Sequence, residues 1–493
     1  MICSVLHYLN SLPAFRKRCI RTWILLCGLV LSVPLQAQQK TWTLKECIDR
    51  AFEKNIALNQ SKLGNEVSRI TWDVSRYALY PNLNLNDAQG FSFGRSLDPV
   101  SYQFTNQNIT TNSPSLNSNV TLYSGFRNIN MIRENKLTYD AGNLDIEKQK
   151  NDLALNVLAA YMQVLMAAEA VNIAKEQRES TANQVDRAEK YVNAGKLPEL
   201  SLFQVRSQLA ADKSALVDAE NALQIDRVNL MQLLELPVSP DFDIAKPSID
   251  AILSEAAPLS SEEVYNAALG IQPQIRGAAM HTQAANVDLK VAHGALLPSL
   301  VLAGALRTNY SSLRSQYSSQ LFYQTETVGY VQGNINQPVT NLVPINELVA
   351  SSYPIRNQFS DNFSQNFSFT LSIPIFNNFQ VKGLIEKSKV AIENARLNED
   401  ATKVQLRKLI EQAYTDQTGS ARKLIAADEQ EKSEARTYTD MEKKFNAGLA
   451  NTTDFLIEKN NYNKVLIAKL TSKYDYVYKT KVVDFYLGKA LTF

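Results

Sequence analysis

Residues 189–195 read Glu-Lys-Tyr-Val-Asn-Ala-Gly, and residues 442–448 read Glu-Lys-Lys-Phe-Asn-Ala-Gly. The two stretches lie 253 residues apart, and the same shift relates Leu122–Phe126 to Ile375–Phe379. The segments that these landmarks enclose, residues 126–195 and 379–448, therefore have equal lengths. A duplication that tolerates no insertion or deletion over such a length indicates long helices that span a fixed distance.

A second pair of related strings has a different spacing. Residues 78–83 read Ala-Leu-Tyr-Pro-Asn-Leu and residues 295–300 read Ala-Leu-Leu-Pro-Ser-Leu, a shift of 217. The difference of 36 residues places one insertion in the second half, between about residues 303 and 366. The sequence thus predicts a first structural repeat at residues 38–240, a linker at 241–260 and a second repeat at 261–493.

The N-terminus has the pattern of a secretory signal peptide at residues 1–37. Four basic residues between Arg16 and Arg21 precede an apolar run, residues 23–35, that ends near Ala37. A membrane anchor is the alternative, although the run is shorter than the roughly 20 residues that a spanning helix needs; a lipid-modified Cys27 is a further one. Cleavage would leave Cys47 as the single cysteine, so packing and assembly must stabilise the mature chain.

Each half contains two candidate membrane strands. Pro81 and Pro298 end the preceding helices, and a pattern of period two follows. Between residues 367 and 373, Phe, Leu and Ile alternate with Ser and Thr, so one face is apolar and the other polar. We expect strands at about residues 82–94 and 116–124, and at about 299–307 and 363–375, lengths that cross a bilayer when tilted. Residues 95–117 and 307–362, rich in Asn, Ser, Gln, Thr and Tyr, are expected to be surface loops.

The segments after the strands show coiled-coil spacing. In the first repeat, apolar residues follow a 4-3 spacing for three heptads: Leu153, Val157, Ala160, Val164, Ala167, Val171 and Ala174. Five of the seven equivalent positions in the second repeat are also apolar. An ordinary bundle core explains the periodicity equally well. Length favours a larger assembly, because a helix over residues 127–192 would measure roughly 100 Å.

Four strands cannot close a barrel, and an open sheet edge in hydrocarbon leaves backbone groups unpaired. If these strands lie in lipid, several chains must therefore share one barrel. The smallest transmembrane barrels have about 8 strands, which permits two, three or four copies.

Taken together, these features resemble the outer-membrane efflux protein family, the TolC-like exit ducts of tripartite pumps and type I secretion systems. The resemblance covers essentially the whole mature sequence. It rests on the duplication, on the strand-to-helix turns Ser124–Phe126 and Pro374–Phe379, and on the hairpins Tyr191–Gly195 and Lys444–Leu449. The loop Gly94–Pro99 is similar to that of Bacteroidetes-type members.

The resemblance implies an α+β membrane protein in the cell outer membrane. It implies a homotrimer with a 12-stranded β-barrel in outer-membrane lipid and an α-helical coiled-coil tunnel in the periplasm. It also implies that a periplasmic adaptor (membrane fusion) protein, which joins the duct to an inner-membrane pump, docks at the hairpin tips. The tip residues carried over are Gly195, Lys196, Leu197, Gly448, Leu449 and Ala450.

The family's periplasmic aperture often carries an acidic residue six positions after the second tip glycine, where this chain has Asp454. The first repeat has Ser201 at the equivalent position, and Ile457 occupies the place of a second acidic residue, so both depart from the family pattern. Asp454 is therefore expected either to line the aperture or to cap a helix N-terminus.

The sequence gives no indication of catalysis, a cofactor, a metal site or nucleic-acid binding. Charged residues make up 20% of the chain with a net charge of +2, and His281 and His293 lack partners at metal-ligand spacing. The predicted function is a passive exit duct for small molecules such as drugs or toxic compounds. The alternatives are a duct for type I protein secretion or metal-cation efflux, a periplasmic coiled-coil structural protein or adhesin, and a secreted enzyme.

Overall fold

The structure is a computed structural model that describes residues 41–98, 102–247 and 260–492. The predicted signal peptide and residues 248–259 of the predicted linker lie outside these ranges. Two compact units, each assembled from both repeats, make up the described chain. The first unit contains residues 41–56, 151–247 and 412–492, and the second contains residues 57–150, apart from 99–101, together with 261–411.

Helices dominate the described residues. They are α1 (Leu44–Lys54), α2 (Ile56–Tyr77), α3 (Arg127–Asn193), α4 (Glu199–Leu233), α5 (Ser261–Ile271), α6 (Pro273–Gly294), α7 (Ile355–Asp361), α8 (Gln380–Asn446) and α9 (Thr452–Tyr486). The strands are β1 (Thr41–Trp42), β2 (Asn84–Asn86), β3 (Gln89–Ser92), β4 (Ser96–Leu97), β5 (Phe104–Thr105), β6 (Ile109–Asn112), β7 (Ser115–Ser124), β8 (Asp243–Ile244), β9 (Ser299–Arg307), β10 (Tyr310–Ser311), β11 (Ser315–Val331), β12 (Asn334–Ser352) and β13 (Ser364–Ser372).

The internal duplication is confirmed by the helix lengths. Helices α3 and α8 both have 67 residues, α4 and α9 both have 35, and each pair begins and ends at positions 253 residues apart. Helices α1 and α5, and likewise α2 and α6, are related by the 217-residue shift at both ends. The two repeats therefore differ in length only where the sequence placed the insertion.

An antiparallel four-stranded sheet forms in the second unit, with strand order β13-β9-β7-β2. Its register places most of the apolar side chains on one face and mainly small or polar side chains, with Val301 as the exception, on the other. The apolar face carries Leu85, Leu116, Val120, Leu300, Leu302, Leu306, Phe367, Phe369 and Leu371. The opposite face carries Asn84, Asn117, Asn119, Thr121, Ala303, Ala305, Asn366, Ser368 and Thr370.

Both ends of this sheet have distinct attachments. Helices α3, α6 and α8 adjoin the end where Ser124, Ser299 and Ser372 are paired. At the opposite end Ser115, Arg307 and Ser364 lead into the loops. Strands β2 and β13 are the sheet's edges, and the described residues provide neither with a partner on its outer side. A sheet with these edges needs a partner before it can lie in lipid.

Three of the expected segments differ from the structure. The expected strand at about residues 82–94 is divided into β2 and β3, which belong to different sheets, because β3 pairs with β6. The expected loop at 307–362 is not a loop over most of its length, since β11 and β12 pair antiparallel from Ser315 to Ser352. Likewise, residues 95–117 contain the short strands β4, β5 and β6 and the start of β7.

The coiled-coil seam of α3 forms the core of the first unit. Leu153, Val157 and Val164 are buried there. The two polar substitutions in the second repeat's seam, Gln417 and Ser420, are also buried; the Gln417 amide donates to Thr480 Oγ1 at 3.5 Å, and Ser420 Oγ donates to the Gln417 carbonyl at 2.9 Å. Both side chains thus make a hydrogen bond within the packed seam, although Gln417 Oε1 is buried without a hydrogen-bond partner among the described residues.

Helix α3 includes an 18-residue stretch that could cross a membrane by length and composition alone, of which 44% is buried inside the protein. Tyr161 ties this helix to the short parallel sheet of β1 and β8. Its hydroxyl donates to the Ala245 carbonyl oxygen at 2.6 Å, and burial raises the pKa of Tyr161.

Candidate functional site

The first tip is a glycine-ended helix terminus followed by a proline. Gly195 has a φ of 65°, the Lys196 amide donates to the Tyr191 carbonyl at 2.8 Å, and the Gly195 amide donates to the Val192 carbonyl at 2.9 Å. These bonds satisfy carbonyls that the end of α3 would leave unpaired. The left-handed backbone conformation at position 195 favours glycine. Pro198 is then the N-cap of α4.

The second tip repeats this geometry. Gly448 has a φ of 74°, the Leu449 amide donates to the Lys444 carbonyl at 2.9 Å, and the Gly448 amide donates to the Phe445 carbonyl at 3.0 Å. At the two turns Gly195, Lys196, Gly448 and Leu449 are exposed, whereas Leu197 and Ala450 are half-buried. The six carried-over tip residues therefore occupy two matching turns, and most of them are accessible.

The helices that leave the two turns begin differently. Asn451 is the N-cap of α9: its Oδ1 accepts from the Asp454 amide at 2.8 Å, and its Nδ2 donates to Asp454 Oδ2 at 2.7 Å. Pro198 at the start of α4 has no hydrogen-bonding side chain. Asp454 is exposed and belongs to this reciprocal cap, so the structure gives it a role at the helix N-terminus. Its expected role at an aperture stays a prediction.

Side chains join the first hairpin (α3 and α4) to the second (α8 and α9) within the first unit. Close to the turns, Arg187 donates to Asn446 Oδ1, and Gln204 Nε2 donates to Thr453 Oγ1 at 3.3 Å. Further from the turns, Gln208 Nε2 donates to Asn460 Oδ1 and Asn460 Nδ2 donates to Gln208 Oε1, both at 3.2 Å. The two hairpins are thus linked to each other by side-chain hydrogen bonds close to their tips.

Sequence reasoning missed a buried polar cluster behind the tips. Lys459 on α9 is 1% exposed, and its Nζ donates to Thr181 Oγ1 and lies 3.8 Å from Asp212 Oδ2. Thr181 in turn donates to Asp212, which also accepts from Gln208 Nε2 at 2.7 Å. A single lysine from the second hairpin is therefore held by two helices of the first.

The electrostatics of this cluster depend on how far Lys459 is removed from water. Desolvation lowers the pKa of Lys459 to about 8, and the Asp212 and Glu442 carboxylates oppose that shift. The cluster also breaks the duplication, because the positions equivalent to Lys459, Asp212 and Thr181 hold Arg206, Val465 and Glu434. That asymmetry was the one sequence signal that could have identified it.

Aromatic side chains pack between α8 and α9 beside the cluster. Phe455, fully buried, stacks on Phe445 with ring centroids 4.5 Å apart, and Tyr438 stacks on Tyr462 at 5.2 Å. Stacked aromatic rings add stability beyond the apolar area that they bury. The second hairpin is thus stiffened internally close to its tip.

His281 and His293 both lie on α6. His281 Nε2 is 3.1 Å from Asp145 Oδ2 on α3, a contact that sequence spacing does not reveal. Within the described ranges, no group of three or more His, Cys, Asp or Glu residues is arranged to hold a metal ion.

The described fold combines a sheet with one apolar and one polar face with two long helical hairpins of equal length. A family model described as outer membrane efflux protein matches residues 47–235 and 264–489. The chain belongs to this outer membrane efflux protein family. The two matched segments correspond to the two repeats.

Individual relatives agree with this assignment. Outer membrane efflux protein BepC of Brucella suis is 21% identical over 464 residues, covering 94% of this chain and 88% of that protein. Pyoverdine export outer membrane protein OpmQ of Pseudomonas putida is 29% identical over 199 residues, covering 40% of this chain and 41% of that protein. The solved open state of the Neisseria gonorrhoeae MtrE outer membrane channel is 17% identical with a TM-score of 0.68, covering 91% of this chain and 90% of that one.

Membership of the outer membrane efflux protein family indicates where the protein lies and what it does. The protein is an outer-membrane channel of efflux pumps. The predicted family, fold class, general function and localisation are therefore confirmed.

Proposed function

We propose that this chain is the passive exit duct of a tripartite efflux pump, that it works as a homotrimer, and that it carries small molecules such as drugs or toxic compounds. The observation that carries the proposal is the four-stranded sheet with two open edges joined to two hairpins of equal length. Each part of that arrangement has a physical reason in a shared duct.

The open edges require other copies of the chain. Strand β13 runs towards the helices and β2 runs away from them, so the β13 edge of one copy can pair antiparallel with the β2 edge of the next. Pairing all round removes every free edge, as a structure in hydrocarbon requires. Three copies give about 12 strands, within the range of known membrane barrels.

The sheet faces fit the same assembly. The apolar face, with Phe367 and Phe369 each more than two-thirds exposed in one chain, suits contact with lipid. The face with Asn117, Asn119 and Thr370 suits a water-filled lumen. A wide polar lumen has little chemical selectivity, so energy and specificity come from an inner-membrane pump.

The exposed turns are the proposed docking surface for the periplasmic adaptor. The side chains of Lys196 and Leu449 are accessible on the turns, and Leu200 and Phe203 in the first turns of α4 are 68% and 60% exposed. Exposed apolar side chains beside a charged one are typical of an interaction surface. The adaptor is expected to contact both tips together.

Cells that lack the chain and are complemented with variants test this proposal. We expect loss of the chain to raise intracellular accumulation of toxic dyes, and Lys196→Glu with Leu449→Glu to raise it equally while leaving the heat-modifiable trimer intact. Lys432→Glu, exposed on α8 away from the turns, is the matched control. A chain whose loss changes only protein secretion or metal tolerance, or which extracts as a monomer, would refute the proposal.

A further inference from the structure

The insertion in the second repeat folds as a long β-hairpin. Strands β11 and β12 pair from Ser315↔Ser352 to Val331↔Asn334, and Gly333 in the connecting turn has a φ of 88°. The hairpin spans 38 residues, which accounts for the difference of 36 residues between the two shifts. It joins β9 to the edge strand β13, at the sheet end opposite the helices.

The root of the hairpin is rigid. Gln358 on α7 is completely buried, its Oε1 accepts from the Ser311 amide at 3.0 Å, and its Nε2 donates to the carbonyls of Ser311 and Tyr353 at 3.1 and 2.8 Å. Arg314 also donates to Asn362 Oδ1 at 2.8 Å. A buried amide whose hydrogen bonds are satisfied fixes the backbone on both sides of the root. The hairpin therefore projects in a defined direction.

The two faces of the hairpin differ in charge. Glu326 and Glu347 lie on one face, which we call the carboxylate face, because Glu326 is opposite Asn341 and Glu347 is opposite Gln320. The other face, the uncharged face, carries Tyr317, Leu321, Tyr323, Leu342, Pro344 and Leu348.

The apolar side chains of the two faces also differ in exposure. On the carboxylate face Phe322 and Ile345 lie opposite each other and are only 39% and 36% exposed. On the uncharged face Leu321, Tyr323 and Leu348 are 56%, 63% and 68% exposed. The hairpin covers part of the carboxylate face by itself, but it leaves the uncharged face open. An isolated two-stranded hairpin is marginally stable in water, so this face needs a cover.

Two possible covers conflict with the backbone. Lipid is unsuitable, because the outer edges of β11 and β12 would leave unpaired backbone groups in hydrocarbon. Edge-to-edge pairing of the hairpins of different copies is hindered at Pro338 and Pro344, which remove donors from β12. Contact through the uncharged face remains available.

We propose that the uncharged face packs against the same face of the neighbouring copies of this chain, so that the hairpins cluster over the outer end of the duct. The inference rests on the proposed function, in which β13 pairs with the next copy. The hairpin root leads through α7 into β13, so it lies beside that seam. Contact through this face brings together tyrosines, leucines and prolines and keeps all the glutamates outside the cluster, whereas contact through the carboxylate face would bring like charges together.

Single-cysteine variants on adjacent positions test the packing. Tyr323 lies on the uncharged face and Gln324 on the carboxylate face, and Cys47 is fully buried, so a membrane-impermeant bis-maleimide on intact cells reports the introduced thiol. We expect Tyr323→Cys to give cross-linked dimers of this chain, and we expect Gln324→Cys to give none. Heat-modifiable migration measures assembly of both variants independently.

The outcomes separate the hairpin from the duct. An assembled oligomer in which Tyr323→Cys does not cross-link, cross-links no better than Gln324→Cys, or cross-links to a different protein would overturn the hairpin packing alone. A wild-type chain that never assembles would overturn both proposals. As a second readout, Tyr323→Glu should raise single-channel conductance through like-charge repulsion in the cluster, with Gln324→Glu unchanged; equal conductance of the two variants would also contradict the packing.

Discussion

Phe126 and Phe379 adopt the same left-handed backbone conformation, with φ angles of 61° and 59°, at positions related by the 253-residue shift. Each ring packs edge-on against the aromatic ring three residues earlier, Tyr123 or Phe376, with centroids 5.4 Å apart. A bulky residue in this conformation is unfavourable by roughly 1–2 kcal/mol. The same unfavourable turn is built twice because it sets the start of both 67-residue helices.

The residues before these phenylalanines predict an asymmetric response to mutation. A Cβ at Gly125 would lie 2.3 Å from the Gly294 carbonyl oxygen. Asn378, at the equivalent position of the second repeat, already carries a Cβ. We expect Gly125→Ala to lower the free energy of unfolding by roughly 2–4 kcal/mol, because overpacking adds to the left-handed strain. For Asn378→Ala we expect about 1 kcal/mol or less. Urea unfolding followed by Trp72, which lies in the same unit, measures both changes; equal losses would contradict the close approach.

The buried cluster predicts strong coupling between Lys459 and Asp212. Lys459→Met should cost about 3–5 kcal/mol of unfolding free energy, because it leaves a buried carboxylate without its cation. Adding Asp212→Leu should recover most of that loss. Fluorescence of Trp42, which lies in the same unit, reports the transition in a Trp72→Phe background.

Arg206→Met is the matched control for Lys459→Met. Arg206 occupies the equivalent position in the first repeat and forms a half-exposed ion pair with Glu189 at 3.2 Å. Its loss should cost no more than about 1 kcal/mol. Equal destabilisation by Lys459→Met and Arg206→Met would show that the cluster is not the coupled unit that its geometry indicates. The same conclusion would follow if adding Asp212→Leu to Lys459→Met recovered no stability.

The lowered pKa of Lys459 predicts a pH dependence of stability. Its folded-state value of about 8 lies below the unfolded value of 10.5, so between these pH values the unfolded chain binds more protons. The contribution of Lys459 to the unfolding free energy should therefore rise with pH across this window, by at most about 1.4 kcal/mol per pH unit, and be constant below it. The wild type minus Lys459→Met difference isolates the effect; a flat difference from pH 7 to 10 would contradict it.

The sequence predicted the parts of this fold that depend on repetition and alternation. The equal helices follow from the matching strings at residues 189–195 and 442–448. Strand β13 follows from the alternation of Ser and Thr with apolar residues, and β9 follows from the repeat of the string that contains Pro298. The insertion was located correctly but its structure was missed. Polar residues such as Gln, Thr, Asn and Ser are mixed with apolar residues on both strands and so resemble a polar loop. Only the pairing register separates the two faces.

The buried cluster could not be predicted from local sequence patterns, for a related reason. Lysine is rarely buried unless it is paired, and the partners of Lys459 lie far away in the chain, 278 residues away for Thr181. No local pattern contains that information. The tips were easier, because a glycine at the end of each long helical pattern indicates the turn by itself.

Asp454 has a role in capping that must be separated from its predicted role at the aperture. Asp454→Ala removes a charge and also a hydrogen bond to Asn451, whereas Asn451→Ala removes that bond and keeps the charge. We expect both variants to lower stability by about 1 kcal/mol. Only Asp454→Ala should raise single-channel conductance and change cation selectivity in planar bilayers, since only it removes a carboxylate from a constriction. If the two variants conduct alike, Asp454 acts at the helix N-terminus and not in the ion path, because capping is the one feature that both substitutions remove.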